Sequence, residues 1–297
     1  AAIPFLLGFG LMKYIGYSTS TAFVLGVCLS ISAVGTTLKV LLDMKALNTK
    51  VGTVMLGAGI IDDLYGVGFL SLILILAQKS LAKLIWFPIE ILSFIIITYL
   101  AYKAIPKIIN LIQIEKTKTA DFAFLVIIAL TIAIISTQLG LGPIIGAFIA
   151  GAIINIIHHK QKILKKHYEE VTEFKVVTFG LIIPFFFINI GLHFDYAVLI
   201  QHFGLVVFIV VIAMLGKIIG TLMAKPLTDL SWKQSYLIGW GMNSRGAMEL
   251  VIAEVARLAG LIPDEVYGAV IIMAILTTML FPVIIRAMVK SDRKIMY

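Results

Sequence analysis

The stretch "GAGIIDDLYGVGFLSLIL", residues 57–74, places two adjacent carboxylates in a run that is otherwise apolar. Asp62 and Asp63 lie near the middle of a segment long enough to cross the hydrocarbon core of a bilayer. An ionisable side chain at that depth costs about 2.5 to 3.5 kcal/mol even on a lenient insertion scale, and such residues mark ion pathways and proton relays. The two aspartates are therefore the first candidates for a functional site.

The composition indicates that the chain is a polytopic membrane protein. Of the 297 residues, 61% are apolar and 13% are charged, whereas soluble domains carry about 25% charged residues. The net charge of +8 does not indicate a nucleic-acid partner, because the basic residues lie in short joins between apolar segments. The single cysteine, Cys28, has no partner for an intrachain disulfide.

A window of about 20 residues, the length of a membrane-spanning helix, predicts about ten helical segments and no separate soluble domain. Most of the 24 Lys and Arg residues follow the second, fourth, sixth and eighth segments or lie in the C-terminal tail. Cytoplasmic joins carry the excess of basic residues, so we expect both ends of the sequence, including the C-terminus, on the cytoplasmic side. The predicted segments are 2–16, 19–44, 51–77, 82–104, 120–138, 142–158, 172–193, 200–223, 232–259 and 264–289.

A buried lysine accompanies the aspartates. Lys217 lies inside "VVIAMLGKIIGTLMAK", residues 210–225, beside the small residues Gly216 and Gly220, which favour close helix approach. One interpretation is a fixed ion pair between Lys217 and Asp62 that only orders the bundle. However, one lysine cannot neutralise two carboxylates, so the second acid requires a cation or a proton.

Two predicted segments are interrupted at membrane depth. The second contains "CLSISAVGTTLKVLLD" and the ninth "IGWGMNSRGAMELVIAEVA", both rich in Gly and hydroxyl residues. Each alone could be a kink in a packed helix. Together they favour a transporter built from inverted repeats, because irregular backbone at this depth is tolerated only where it is buried in protein or lines a wet cavity.

In order and spacing, these motifs resemble the monovalent cation:proton antiporter superfamily. The residues that carry the resemblance are "AGIIDDLYG", "GKIIG" and "GMNSRGAMELVIAEVA", with support from "SISAVGTTLKVL", "LGPIIGAFIAGAII" and "FFFINIGLHFD". The resemblance is to the Asp-Asp branch, the Na⁺/H⁺ antiporters of NhaA and NapA type, and more distantly to potassium-efflux antiporters. It implies an all-α, inverted-repeat fold with two discontinuous crossing helices, and further N-terminal helices that this chain lacks.

The resemblance also implies a division into domains. Residues 1–78 and 199–297 would form the two parts of an ion-translocation core, and 79–110 a linker helix. Residues 111–198 would form part of a panel through which the full-length protein dimerises.

Carried onto this sequence, the resemblance makes Asp63 the main ion-binding carboxylate and Asp62 its neighbour, both as Na⁺ ligands, and pairs Lys217 with Asp62. The supporting residues of the unwound helix would be Ser32, Gly35, Thr36 and Thr37. The structural polar residues at the second break would be Asn243, Arg245 and Glu249. Many relatives read Arg-Gly-Glu there, whereas here the acid is Glu249, one helix turn from Arg245, so a local pair is one open arrangement.

The expected function is exchange of Na⁺ or Li⁺ for H⁺ by alternating access across a prokaryotic cytoplasmic membrane, electrogenic and without a cofactor other than the transported ions. A K⁺/H⁺ antiporter of the potassium-efflux type is the main alternative, although such relatives commonly carry Gln in place of Asp62. A bile-acid-type Na⁺ symporter is a further one. An intramembrane aspartyl protease is disfavoured, because adjacent carboxylates on one helix cannot flank a scissile bond, so we do not expect an enzyme.

Overall fold

The computed structural model describes residues 1–77, 81–112, 118–161, 176–192, 194 and 196–296. Within these ranges every regular element is a helix, as the sequence predicted. Five stretches are long and apolar enough to cross a membrane: Thr19–Asp43, Lys50–Leu74, Ile89–Pro106, Phe203–Leu227 and Asp264–Ser291. The chain is therefore a multi-pass membrane protein that is helical throughout its described elements.

The chain divides into two compact units. The first combines Ala1–Ile73 with Phe194–Tyr297, and the second is Leu74–His193. The first unit contains helices α1 (Ala2–Ile15), α2 (Thr19–Ser30), α3 (Val34–Asp43) and most of α4 (Lys50–Ala77), then α9 (Tyr196–Gln201), α10 (Phe203–Ala224), α11 (Trp232–Gly241), α12 (Ala247–Leu258) and α13 (Asp264–Ser291). The second unit contains α5 (Leu81–Ile112), α6 (Lys118–Gln138), α7 (Pro143–Gln161) and α8 (Ile183–Leu192), which follows a π-helical turn at Thr178–Ile182. Residues 162–175, with the start of predicted segment 172–193, lie outside the described residues.

The second predicted segment is broken into α2 and α3. The Ser18 side chain caps α2 by accepting a hydrogen bond from the backbone N–H of Thr21. The chain is extended only from Ile31 to Ala33, so the unwound part is shorter than the sequence indicated. Gly35, Thr36 and Thr37 belong to the first turns of α3. The hydroxyls of Thr36 and Thr37 donate hydrogen bonds to the carbonyl of Ala33, the residue that precedes α3.

The ninth predicted segment is broken into α11 and α12. A capping box of Ser231 and Gln234 starts α11, which ends at Gly241. After the irregular stretch 242–246, α12 begins at Ala247. The carboxylate of Glu249 accepts a hydrogen bond from the Gly246 N–H and caps the new helix.

The two breaks meet inside the first unit. The Ala33 N–H donates to the Ser244 carbonyl at 2.9 Å, and the Ser244 hydroxyl donates to the Ala33 carbonyl at 2.9 Å. A Cβ atom at Gly246 would lie 2.7 Å from the Cβ of Ala33, so only glycine permits this approach. A Cβ at Gly216 of α10 would likewise lie 2.9 Å from Cα of Pro4 in α1, which explains the small residue beside Lys217.

Candidate ion-binding site at two broken helices

The buried ion pair expected from the sequence is present. Lys217 on α10 donates from Nζ to Oδ2 of Asp62 on α4 at 2.8 Å. Lys217 is 3% exposed and Asp62 is 5% exposed, so both charged groups are buried inside the protein. Such a pair is retained only when each charge has a partner, because a lone buried charge is strongly unfavourable.

Both broken helices contribute to this pair. The Ser32 hydroxyl, in the extended segment of the first break, lies 2.8 Å from Oδ2 of Asp62 and 2.8 Å from the carbonyl oxygen of Met242 in the second. The ammonium group of Lys217 also donates to the Ser30 carbonyl at 2.5 Å. Asp62 therefore lies at a junction of α4, α10 and the two breaks.

Two cationic side chains donate hydrogen bonds to the backbone carbonyls at the C-terminal end of α2. The Arg245 guanidinium donates to the carbonyls of Cys28 and Leu29 at 3.0 Å each and also to that of Ile31, while Lys217 holds the carbonyl of Ser30 between them. Carbonyls at a helix C-terminus lack intrahelical partners and carry partial negative charge, which favours cations there. Arg245 and Lys217 therefore stabilise a helix end buried at the level of the site.

Arg245 and Glu249 do not form the local pair that the sequence left open. Arg245 reaches back to the first break, and Glu249 caps α12, so each side chain is occupied by backbone groups. No ion pair joins these two residues in the described structure. Their positions agree with a structural role at the second break.

Asp63 differs from its neighbour. Its side chain is only half-buried and accepts no hydrogen bond from the described residues. Adjacent helix positions point about 100° apart, so the two carboxylates do not form one bidentate face. Asp62 is thus neutralised by Lys217, and Asp63 remains the carboxylate with free ligand positions.

Of the predicted supporting residues at the first break, only Ser32 touches an aspartate. The Thr37 hydroxyl contacts the Ser244 hydroxyl at 2.7 Å, and the hydroxyls of Thr36 and Thr37 bond the Ala33 carbonyl. Asn243 donates to the carbonyls of Gly239 and Met214. These contacts hold the backbone around the two helix breaks in place and do not involve the carboxylates of Asp62 and Asp63.

Sequence reasoning did not single out the backbone carbonyls of Ser30 and Met242. The oxygens of Ser30 and Met242 both contact the site, the first through Lys217 and the second through Ser32. It also missed Ser244, which links the breaks through its hydroxyl and its carbonyl. The available signal was weak, since several Ser and Thr residues lie in the same short stretches and a carbonyl is common to all residues.

A cavity of about 360 Å³ reaches the ion pair. It runs from Asp62 and Lys217 toward the join between α10 and α11, where Thr228 and Leu230 line it. Asp63 does not line this cavity. The described residues contain no cluster of three or more His, Cys, Asp or Glu side chains suited to a metal ion. The ligands at hand are the carboxylate, hydroxyl and carbonyl oxygens that hard cations prefer.

A buried carboxylate and lysine at the meeting point of two broken helices, in an all-helical membrane protein, define a secondary ion transporter. The sequence profile of the family described as "Sodium/hydrogen exchanger, transmembrane" matches residues 1–291, and the chain belongs to that family. The resemblance deduced from the motifs is therefore confirmed.

Curated relatives agree with this assignment. The chain is 28% identical to the Na(+)/H(+)-K(+) antiporter GerN of Bacillus cereus, over 94% of this chain and 71% of GerN. It is 27% identical to a Na(+)/H(+) antiporter of Enterococcus hirae, over 96% of this chain and 76% of that protein. It is 28% identical to the probable Na(+)/H(+) antiporter GerT of Bacillus cereus, over 91% of this chain and 70% of GerT.

Proposed function

We propose that this chain exchanges Na⁺ for H⁺ by alternating access, with both ions competing at Asp62 and Asp63. The observation that carries the proposal is the unequal environment of the two acids. Asp62 is buried and paired with Lys217, whereas Asp63 is half-buried and unpaired in the described structure. The names of the similar antiporters support Na⁺ and H⁺ as the transported ions.

The geometry supports coupled exchange. Na⁺ needs oxygen ligands, which Asp63, Asp62 and Ser32 supply when the carboxylates are ionised. A proton on either carboxylate removes its charge and with it most of its attraction for the cation. When Na⁺ reaches Asp62, it competes with Lys217 for Oδ2. If the freed lysine releases its proton, two protons move for each Na⁺ and transport is electrogenic.

The proposal extends to architecture. The first compact unit would be the moving core, corresponding to the expected parts 1–78 and 199–297. Residues 79–110 would be the linker helix, and 111–198, of which part lies outside the described residues, the panel through which the full-length protein forms a homodimer. The inverted repeat would relate the two broken helices that meet at Ala33 and Ser244.

The proposed orientation in the membrane rests on the distribution of basic residues. The protein would lie in a prokaryotic cytoplasmic membrane with its C-terminus inside and serve pH homeostasis, without a cofactor. The cavity at the join between α10 and α11 would then open toward the cytoplasm. Li⁺ would compete as a second monovalent substrate, since it uses the same oxygen ligands.

K⁺/H⁺ exchange is the second candidate, because the name of the similar antiporter GerN includes K⁺. The buried pair of Asp62 and Lys217 favours Na⁺, since potassium-efflux relatives commonly carry Gln in place of Asp62. Parallel measurements with Na⁺, Li⁺ and K⁺ at equal concentration separate the two functions.

The test is cation-dependent dissipation of a pH gradient in vesicles that contain the full-length protein. Asp63→Asn should abolish it, because the variant lacks the ionisable group that both ions need. Asp43→Asn is a matched control, since Asp43 is exposed and pairs with Arg286 at the protein surface. Normal Na⁺-dependent proton movement by folded Asp63→Asn would contradict the proposed function.

A further inference from the structure

Lysines from two helices meet at the join between α10 and α11, residues 225–233. Lys225, the residue after α10, places its Nζ 5.5 Å from the ring centre of Trp232, the first residue of α11. This is within the range of a cation–π contact. Lys50, at the start of α4, donates from Nζ to the backbone carbonyl of Asp229 at 2.5 Å. The join is therefore a place where positive charge from separate parts of the chain collects.

The C-terminal tail extends this positive surface. Lys233 places its Nζ 3.5 Å from Oδ2 of Asp292, an exposed pair of the kind that contributes little to stability. A 3₁₀ helix at Arg293–Met296 packs against α11 and buries the side chain of Met296, so the tail lies beside the join. We call the basic surface the group of six basic residues, accompanied by two acidic ones, that results: Lys50, Lys225, Lys233, Lys290, Arg293 and Lys294, with Asp229 and Asp292.

An exposed aromatic ring marks the level of the basic surface in the membrane. Trp232 is 60% exposed, and Leu227 in the join is 89% exposed. Tryptophan combines an apolar body with one N–H donor and is enriched where the hydrocarbon core meets the headgroups. The apolar stretch Phe203–Leu227 also ends at this join. The basic surface therefore lies at the level of the lipid headgroups.

An apolar stripe on α10 leads from the basic surface into the membrane. Leu215, Ile219 and Met223 are spaced four residues apart, so they share one face of the helix, and all three are exposed. Helix α1 packs on the neighbouring face, at Gly216 and Gly220, and leaves the stripe uncovered. The stripe ends two residues before Lys225, so one molecule can reach both surfaces.

The chemistry of the two surfaces selects one occupant. A neutral lipid would cover the stripe but would not use the positive charge. A soluble acidic peptide would use the charge but would not enter the membrane along the stripe. A second copy of this chain would bring the same excess of basic residues, and like charges repel. An anionic phospholipid has a negative headgroup and hydrocarbon chains, and so complements both surfaces.

We propose that the join between α10 and α11 is a binding site for an anionic phospholipid. The phosphate lies between Lys225, Lys233 and the tail, the Trp232 ring lies at the glycerol level, and an acyl chain follows the stripe. In the orientation proposed above, this lipid belongs to the cytoplasmic leaflet. The site goes beyond the proposed function, because lipid binding there does not depend on which ion the protein exchanges.

The test is lipid retention by the purified full-length protein, measured by native mass spectrometry with equal amounts of phosphatidylglycerol and phosphatidylcholine. The wild type should retain the anionic phosphatidylglycerol in preference to neutral phosphatidylcholine. The double variant Lys225→Gln, Lys233→Gln should bind phosphatidylglycerol about 25-fold more weakly, roughly fivefold for each lysine. The double variant Lys225→Arg, Lys233→Arg keeps both charges and should retain the preference.

Lys13→Gln is the matched control. Lys13 is an exposed lysine at the end of α1, and its side chain contacts Thr19. Its join lies on the side of the membrane opposite to the basic surface in the proposed orientation, so the variant should retain lipid as the wild type does. If the double glutamine variant does not fold, Lys233→Gln alone replaces it, since this side chain is exposed.

Thermal unfolding gives a second readout. Phosphatidylglycerol should raise the melting temperature of the wild type above its value in phosphatidylcholine, because a ligand that binds the folded state stabilises it. Salt at about 1 M should remove this gain, since the screening length then falls to roughly 3 Å. The double glutamine variant should show no gain at any salt concentration.

Three results would overturn the site. The first is equal retention of the two lipids by the wild type. The second is equal retention of phosphatidylglycerol by the wild type and the folded glutamine variant. The third is displacement of phosphatidylglycerol by an equal concentration of soluble glycerol phosphate, which would make a free phosphate the ligand. None of these measurements involves Na⁺-dependent proton movement, so failure of this site and failure of the proposed function are separate results.

Discussion

Replacing Lys217 with glutamine tests whether the buried pair carries a proton or only orders the bundle. The change removes the charge that neutralises Asp62, which is 5% exposed, while the glutamine amide can still donate to the Ser30 carbonyl. Removal of one partner from a buried ion pair costs about 3 to 5 kcal/mol. We expect that loss because the substitution leaves the Asp62 carboxylate buried without its cationic partner.

The matched control is the double variant Lys217→Gln with Asp62→Asn. It removes both charges and retains groups of similar shape, so its stability should lie closer to that of the wild type than the single variant does. Thermal unfolding of the purified proteins in the same detergent measures the difference. A double variant no more stable than Lys217→Gln would show that the unpaired carboxylate is not the cause.

Transport by the same variant decides the role of the lysine proton. If Lys217 gives up its proton when Na⁺ enters, Lys217→Gln should still exchange ions, but one H⁺ for one Na⁺. The rate in vesicles would then be the same under an imposed potential of either sign. A potential-dependent rate equal to that of the wild type, in a variant that only melts at lower temperature, would refute the proton-carrying role.

Two further predictions concern the second break. Arg245→Lys keeps the charge but cannot reproduce the fork that binds the carbonyls of Cys28, Leu29 and Ile31 at the end of α2, so it should cost about 2 to 4 kcal/mol in detergent unfolding; wild-type stability would contradict this helix-end role. Glu249→Gln keeps an oxygen for the Gly246 N–H, whereas Glu249→Ala loses the cap and should be less stable than Glu249→Gln by about 1 kcal/mol. Equal melting of the two Glu249 variants would argue against the cap.

The sequence predicted the features that are energetically unfavourable inside a membrane. Asp62 and Lys217 are rare residue types at that depth, and a partner for each was the simplest way to bury them. The two breaks were visible because polar and small residues interrupt long apolar segments. These features depend on local composition, so they can be read without knowledge of distant contacts.

The contacts between the two broken helices could not be predicted in the same way. Arg245 binds carbonyls more than 200 positions earlier in the chain, and its nearest acid in sequence, Glu249, looked the simpler partner. Gly35 appeared to mark unwound backbone, yet the chain is helical from Val34 onward, and the hydroxyls of Thr36 and Thr37 bond the Ala33 carbonyl just before it. From the sequence pattern, several hydroxyl groups were equally good candidates to contact Asp62. Only the three-dimensional course of the two breaks brings the Ser32 hydroxyl to Asp62.

The boundary of the first unit was also not marked by composition. α4 continues through it without a turn residue, from Lys50 to Ala77, whereas the division falls between Ile73 and Leu74. Such a boundary follows from which helices pack together. Apolar residues that face lipid and apolar residues that face protein look alike in sequence, so this packing is hidden from the sequence pattern.

The central claim is that Na⁺ and H⁺ compete for Asp62 and Asp63. The most direct measurement is the Na⁺ concentration for half-maximal exchange, determined in vesicles at a series of pH values. Since each proton bound removes a negative charge that the cation needs, this concentration should rise steadily as the pH falls from mildly alkaline to mildly acidic. A half-maximal Na⁺ concentration that stays constant over this pH range would contradict a shared site.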